Sequence, residues 1–168
     1  FASQMVEALA CVHAAGIVHR DLKCENFMLT GARQLKLIDF GSARDASHPE
    51  VAPMRLGPAY EHHVGTPNFM SPEAINGKAN DCRSDLWSLG CTVYQMIVGV
   101  PPFQAKTPFL VMMKGQQGKP WMPKEGLADL ERDLVCSLLR VEPSERLGAD
   151  DTRAVMEHPM LRARPTRA

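Results

Sequence analysis

Apolar residues recur at Phe1, Met5, Leu9 and Val12, with Val6 beside them, at the intervals that turn one helix face toward a core. Gly16 follows where a C-cap glycine would stop such a helix, so 1–15 is expected to be helical. Two short apolar runs come next, Phe27–Met28–Leu29 and Leu35–Lys36–Leu37–Ile38. The link Thr30–Gly31–Ala32–Arg33–Gln34 makes them a predicted β-hairpin. Residues 42–64 carry Pro49, Pro53, Pro58 and Gly57 with little periodicity, and read as a long loop. Ser71–Pro72–Glu73 has the chemistry of a helix start: a hydroxyl at the cap, Pro in the first turn, an acid near the positive end. The run 84–99 is apolar on nearly every face after its first turn, the mark of a buried helix. Ser84 is its expected cap, and Gly99–Val100–Pro101–Pro102–Phe103 its stop. A short helix over 107–114 and a loop over 115–126 follow. Then come an amphipathic helix over 127–140, with Leu127, Leu130, Leu134, Leu138 and Leu139 on one side, and a last short helix over 151–158. The expected fold class is mainly α, of the α+β kind, with one short hairpin.

Composition alters this picture little. A chain of 168 residues can bury one core of its own, and 45% hydrophobic with 23% charged residues places it among soluble globular chains. The 19 basic residues balance 19 acidic ones, so nothing electrostatic points to nucleic acid or a membrane surface. No apolar run approaches the roughly 20 residues of a membrane span. Cys11, Cys24, Cys82, Cys91 and Cys136 are odd in number, with no pair at metal-ligand spacing. Free thiols in a reducing compartment, the cytoplasm, are expected, and Cys24 reads as an inert small residue.

The chemistry concentrates in His19–Arg20–Asp21–Leu22–Lys23–Cys24–Glu25–Asn26, followed by Asp39–Phe40–Gly41. The hairpin between them would set the loop before its first strand beside the loop after its second. Asp21, Lys23 and Asn26 would then face Asp39 across a small gap. Carboxylates and an amide oxygen gathered there need a compensating cation. Hard oxygen ligands that leave room for water and phosphate suit Mg²⁺ better than Zn²⁺.

These two motifs resemble the catalytic and metal-binding loops of eukaryotic protein kinases. The resemblance implies that Asp21 accepts the proton of a substrate hydroxyl, and that Lys23 offsets charge on the transferred phosphoryl group. It implies that Asn26 and Asp39 hold Mg²⁺, and that Lys23, Glu25, Asn26, Met28 and Asp39 surround ATP, with Met28 as the floor under the adenine. His19, Phe40 and Gly41 would be structural, and Asp85 would anchor the catalytic-loop backbone. Gly65–Thr66–Pro67–Asn68–Phe69–Met70–Ser71–Pro72–Glu73 resembles the substrate-side loop, with Ser71 in place of the usual Ala. Thr66 would bond Asp21 and Lys23 and marks a Ser or Thr acceptor, as Lys23 also does. Arg146, in Pro143–Ser144–Glu145–Arg146–Leu147–Gly148, would pair with Glu73. Arg20 would pair with a phosphorylated residue or an acidic stand-in. The usual phosphosite falls at His62, which departs from the family. Activation without a phosphate at that position is expected, with Glu61 as a fixed anionic partner for Arg20.

Ser-Pro-Glu, Ser-Asp-Leu-Trp-Ser-Leu-Gly-Cys, Tyr-Gln-Met, Gly-Val-Pro-Pro-Phe and Glu-Arg-Leu-Gly together resemble the AGC group. Within that group they resemble the 3-phosphoinositide-dependent kinases. Gln95 stands where many relatives carry an acid for substrate arginines, so a strong Arg requirement is not expected. The chain opens in mid-helix, and no Gly-rich phosphate loop, strand Lys or partner Glu helix precedes Phe1. The expectation is a partial kinase domain over 1–160, the C-terminal helical lobe whose hairpin bears the catalytic and metal-binding loops. A disordered basic tail would occupy 161–168. Alone, this piece is expected to be inactive. Its parent would phosphorylate protein Ser or Thr, other AGC-type kinases among its partners, with membrane recruitment left to regions outside this stretch. The rival reading is a non-catalytic pseudokinase or a truncated scaffold.

Overall fold

The computed structural model describes residues 1–47, 66–78 and 81–162. Helix α1 (Ala2–Ala14) fills the first predicted helix, with Met5, Val6 and Leu9 buried. Gly16 then takes φ +73°, a left-handed conformation that costs glycine little, and the chain turns away. Strands β2 (Phe27–Leu29) and β3 (Leu35–Leu37) form the expected antiparallel hairpin, with Phe27 opposite Leu37 and Leu29 opposite Leu35. Its turn is closed by bonds from Thr30 N to Gln34 O and from Arg33 N to Thr30 O, both 2.9 Å. The left-handed residue there is Arg33, at φ +59°, rather than Gly31.

One pairing was not expected. Strand β1 (Ile17–Val18) lies antiparallel to β4 (Arg44–Asp45), with Val18 opposite Arg44. The start of the predicted loop is therefore held, after a 3₁₀ turn over Phe40–Ser42, against the strand that leads into His19.

The rest is helical: α2 (Pro72–Ile75), α3 (Cys82–Val98), α4 (Pro108–Gln116), α5 (Asp129–Leu138) and α6 (Pro159–Arg162). Ser71 caps α2 as read, accepting from Ala74 N at 3.3 Å. The cap of α3 is Asp81 rather than Ser84. The Asp81 carboxylate accepts from Arg83 N at 2.8 Å and brings negative charge to the positive helix end, a stronger cap than a neutral hydroxyl. Gly99 ends α3 at φ +86°. The predicted helix over 151–158 is a 3₁₀ segment, Thr152–Glu157. Helix α6 carries order past residue 160, with Leu161 packed on the core, and the rest of the expected tail, 163–168, lies outside the described residues.

Helix α3 is the centre of the packing. Every residue from Ser84 to Tyr94 is buried, and Leu86, Leu89 and Val93 join one apolar cluster with Val6 and Leu9 of α1, Leu134 and Leu138 of α5, and Val155. Each such fully buried side chain contributes about 1.5–3 kcal/mol. Gly90 lets α5 come this close: a Cβ there would stand 2.9 Å from Leu138 Cβ. Trp87 stacks on Phe103, centroids 5.5 Å apart and planes 3° from parallel. Of the leucines assigned to one side of this helix, Leu127, Leu134, Leu138 and Leu139 are buried, but Leu130 faces solvent, 46% exposed.

Candidate active site

The loop 19–26 hangs from α3 by one carboxylate. Asp85, fully buried, accepts from His19 N at 2.7 Å through Oδ2 and from Arg20 N at 2.8 Å through Oδ1. Arg20 sits at φ +71°, unfavourable for a residue with a side chain, and the paired bonds hold it there. His13 Nε2 lies 2.9 Å from Asp85 Oδ2, and its Nδ1 lies 2.6 Å from Thr152 Oγ1. His19 is also fully buried. Its Nε2 donates to Ile38 O at 3.0 Å, which leaves Nδ1 to accept from Asp21 N at 3.4 Å. Its ring meets Phe40 edge-on, centroids 5.0 Å apart. One imidazole thus ties the loop to the end of the hairpin and to Phe40.

Asp21 is the hub of the polar cluster. Lys23 Nζ donates to its Oδ2 at 2.6 Å and to Thr66 Oγ1 at 3.3 Å. Thr66 Oγ1 in turn donates to Asp21 Oδ1 at 3.4 Å. Asn26 Nδ2 donates to Asp21 O at 2.7 Å and to Oδ2 at 3.2 Å. Four residues from two separate stretches are therefore brought together as the motifs required.

Asp39 belongs to the same region through the backbone: Ile38 N donates to Asn26 O at 2.9 Å. Asp39 is itself left-handed, φ +62°, and its Oδ1 accepts from Gly41 N at 3.2 Å. The donor set suits a hard divalent cation. The Asn26 amide is oriented by its Nδ2 bonds to Asp21, so Oδ1 is left as an acceptor, and the second Asp39 oxygen has no hydrogen bond among the described residues. Among the described residues no group of three or more His, Cys, Asp or Glu could hold a metal ion. A cation at Asn26 and Asp39 would take its other ligands from water and phosphate, the usual habit of Mg²⁺. Met28 is 56% exposed and so is not core, and Glu25 is exposed in the 3₁₀ turn Cys24–Asn26. Burial, then the Glu25 charge, push the Cys24 thiol up, in keeping with an unreactive side chain.

The substrate-side loop is pinned from below. Arg146, 2% exposed, meets Glu73 with two parallel bonds, Nη1 to Oε1 at 2.6 Å and Nη2 to Oε2 at 2.7 Å. Its remaining N–H groups donate to the carbonyls of Arg140, Arg83 and Val141. The guanidinium lies 5.3 Å from the Trp87 ring centroid. Burial pushes the Glu73 carboxyl up, but the Arg146 and Ser84 hydrogen bonds outweigh it and hold it below the ordinary carboxylate range.

With this geometry in place, comparison with known proteins is decisive: the family model for the protein kinase domain matches residues 1–161. The chain belongs to the protein kinase family. The kinase chain is 37% identical over 151 residues to mouse 3-phosphoinositide-dependent protein kinase 1, covering 90% of this chain and 26% of that protein. It is 34% identical over 160 residues to the serine/threonine-protein kinase PKH1 of Saccharomyces cerevisiae, covering 92% of this chain and 21% of the other. A probable serine/threonine-protein kinase PknB of Corynebacterium glutamicum is 39% identical over 124 residues, 74% of this chain and 19% of its own. The chain thus spans about a fifth to a quarter of the length of these three relatives. The resemblance to the AGC-type, 3-phosphoinositide-dependent kinases holds at this level.

Three residues of the kinase chain's polar framework escaped the sequence reading. His13 and Thr152 are 139 positions apart, and only the packing of α1 on the 3₁₀ segment at 152–157 joins them. Ser88 sits inside a run that reads as uniformly apolar. Tyr60, Glu61, His62 and His63, and with them the partner assigned to Arg20, lie outside the described residues.

Proposed function

We propose that this chain is the C-terminal lobe of a Ser/Thr protein kinase whose parent protein transfers the γ-phosphoryl group of ATP to a protein hydroxyl. The observation that carries this reading is the cluster in which Lys23 and Thr66 both meet the Asp21 carboxylate while Asn26 fixes its backbone. Such a carboxylate is held ready, by one cation and one hydroxyl, to accept a proton from an alcohol that takes its place beside Thr66. Lys23 moves its charge between Asp21 and the incoming phosphoryl oxygens, and Asn26 and Asp39 offer oxygens to the metal. Bound Mg-ATP supplies the phosphoryl group and the charge that balances it. Arg20 and Glu25 flank the site and orient its loop and ligands.

Lobe assignment is supported by what the hairpin leaves uncovered. Met28, Leu29 and Phe40 are 56%, 50% and 45% exposed on the hairpin and its flank, an apolar surface that suits coverage by nucleotide and a further body of protein. A non-catalytic scaffold is the weaker reading, because decay of activity would leave no reason to keep Asp21, Lys23, Asn26, Asp39 and Thr66 together.

The test is Mg-ATP turnover by the full-length protein on a Ser/Thr/Tyr peptide library. Transfer to Ser or Thr, without a dominant demand for upstream Arg, is expected. Transfer to Tyr alone, or none, refutes the reading. The isolated chain is expected to transfer no phosphate at a measurable rate.

A further inference from the structure

We propose that Ser84 and Ser88 of α3 are positioning residues for the protein substrate. They fix the substrate-side loop to the same helix turn that fixes the catalytic loop. This rests on the kinase reading above.

The two hydroxyls lie four residues apart, on one face of α3, and both are buried, 4% and 7% exposed. Ser84 Oγ donates to Glu73 Oε1 at 2.7 Å. Ser88 Oγ donates to Phe69 O at 2.8 Å, in preference to the 3.3 Å bond available at its own helix carbonyl, Ser84 O. Between them stands Asp85, whose carboxylate carries the His19 and Arg20 amides. Three positions of one helix therefore grip two loops that are remote in sequence, and the face of α3 and the two loops enclose a small cavity lined by Asp21, Thr66, Phe69, Ser84, Asp85 and Ser88.

The consequence for substrate runs through a short covalent path. Phe69 N donates to Thr66 O at 2.9 Å, closing the turn that carries Thr66. Moving Phe69 therefore moves Thr66, and Thr66 Oγ1 is bonded to Asp21 Oδ1. Ser88 thus sets the height of Thr66 over Asp21, while Ser84 holds the far end of the loop through Glu73. Asn68 Nδ2, bonded to Phe103 O at 2.9 Å, is a third tether, so loss of either serine loosens the loop without freeing it. Neither hydroxyl touches the Asn26 and Asp39 side of the site. Their loss should act on the acceptor and not on the nucleotide.

The test is steady-state kinetics on the full-length protein with Mg-ATP and an acceptor peptide found in the library screen. For Ser88→Ala peptide KM should rise about fivefold, the worth of one neutral buried hydrogen bond, and for Ser84→Ala, whose bond is to the Glu73 carboxylate, by at least about tenfold. KM for ATP should stay within about twofold, since no bond on that side is altered. Ser84→Thr keeps the hydroxyl and should return peptide KM toward the wild-type value. If Ser88→Ala does not fold, the Ser84 pair carries the test alone. An unchanged peptide KM overturns the proposal, as does a parallel rise in both KM values, which would signal general loosening. A wild-type protein with no transferase activity overturns the kinase reading itself, and this inference with it.

Discussion

Truncation of Arg146 tests the energetic core of the substrate-side loop. In Arg146→Ala the Glu73 carboxylate, 7% exposed, loses its cation and keeps the Ser84 hydroxyl and a backbone amide, and the carbonyls of Arg140, Arg83 and Val141 lose the guanidinium donor. Breaking one side of a buried pair leaves an uncompensated charge and costs about 3–5 kcal/mol. At about 2–4 °C per kcal/mol for a domain of this size, the melting temperature should fall by roughly 6–20 °C. Arg146→Lys should lie between, because three rotating donors cannot serve five fixed acceptors. The pH dependence gives a second, independent check. Burial raises the wild-type Glu73 carboxyl, but Arg146 and Ser84 bring it below its ordinary 4.5, so its stabilising contribution is complete above that value and fades as pH falls through the lower folded one. Without Arg146, burial dominates and the carboxyl moves up. The charged form then costs stability at neutral pH, and acidification relieves that cost by protonating it. Thermal unfolding followed by circular dichroism should therefore show the largest gap between wild type and Arg146→Ala at about pH 7, narrowing toward about pH 5. Superimposable melting curves, or a gap that does not change with pH, would refute the argument.

Asp21→Asn preserves shape and removes the proton acceptor, so phosphotransfer by the full-length protein should fall roughly 10²–10⁴-fold at an unchanged melting temperature. Gly90→Ala places a methyl 2.9 Å from Leu138 Cβ and 3.0 Å from Leu139 Cδ2, and overpacking of this kind should cost about 1–3 kcal/mol, read as a lowered melting temperature. Asp85→Ala strips the acceptor from the His19 and Arg20 amides; at about 1–3 kcal/mol for a buried unsatisfied group, denaturant unfolding should show a loss of at least that size. Turnover should fall with it, because the Arg20 amide loses the acceptor it has in its left-handed conformation.

The parts of the molecule that were legible in the sequence are those fixed by local rules. The α1 stripe, the hairpin, the Ser71 cap and the buried run of α3 each follow from spacing or from a residue's own backbone preference, and each is found. Local rules also explain the errors. Ser84 satisfies every local criterion for a cap, yet Asp81, three residues earlier, offers a charged acceptor, and the helix begins there instead. The hairpin link was legible as a turn, but not that its left-handed residue is Arg33, which the bonds from Thr30 to Gln34 and from Arg33 to Thr30 decide. Leu130 follows the periodicity of α5 yet stands 46% exposed between the buried Leu127 and Leu134, since spacing marks a face of the helix and not which of its positions are covered.

The grouping of Asp21, Lys23, Asn26 and Thr66 was legible because each lies in a motif whose spacing is itself informative; the means of holding them was not. His13, Thr152, Ser84 and Ser88 carry no such spacing, since their partners lie in other elements and are chosen by packing. A buried helix read only by hydropathy looks uniform along 84–94, and its few polar side chains look like interruptions. The energetics point the other way. A serine or aspartate fully buried at the centre of a core survives only if each polar atom finds a partner, at a cost of about 1–3 kcal/mol when it does not. On a central helix those partners are the helix's own carbonyls, as Ser88 O is for Thr92, or groups laid across it, here the catalytic loop at Asp85 and the substrate-side loop at Ser84 and Ser88. Thr92 can turn its hydroxyl back on its own helix, whereas an aspartate has only acceptors and must find donors elsewhere, so Asp85 is the position on α3 where sequence alone points to an attached loop.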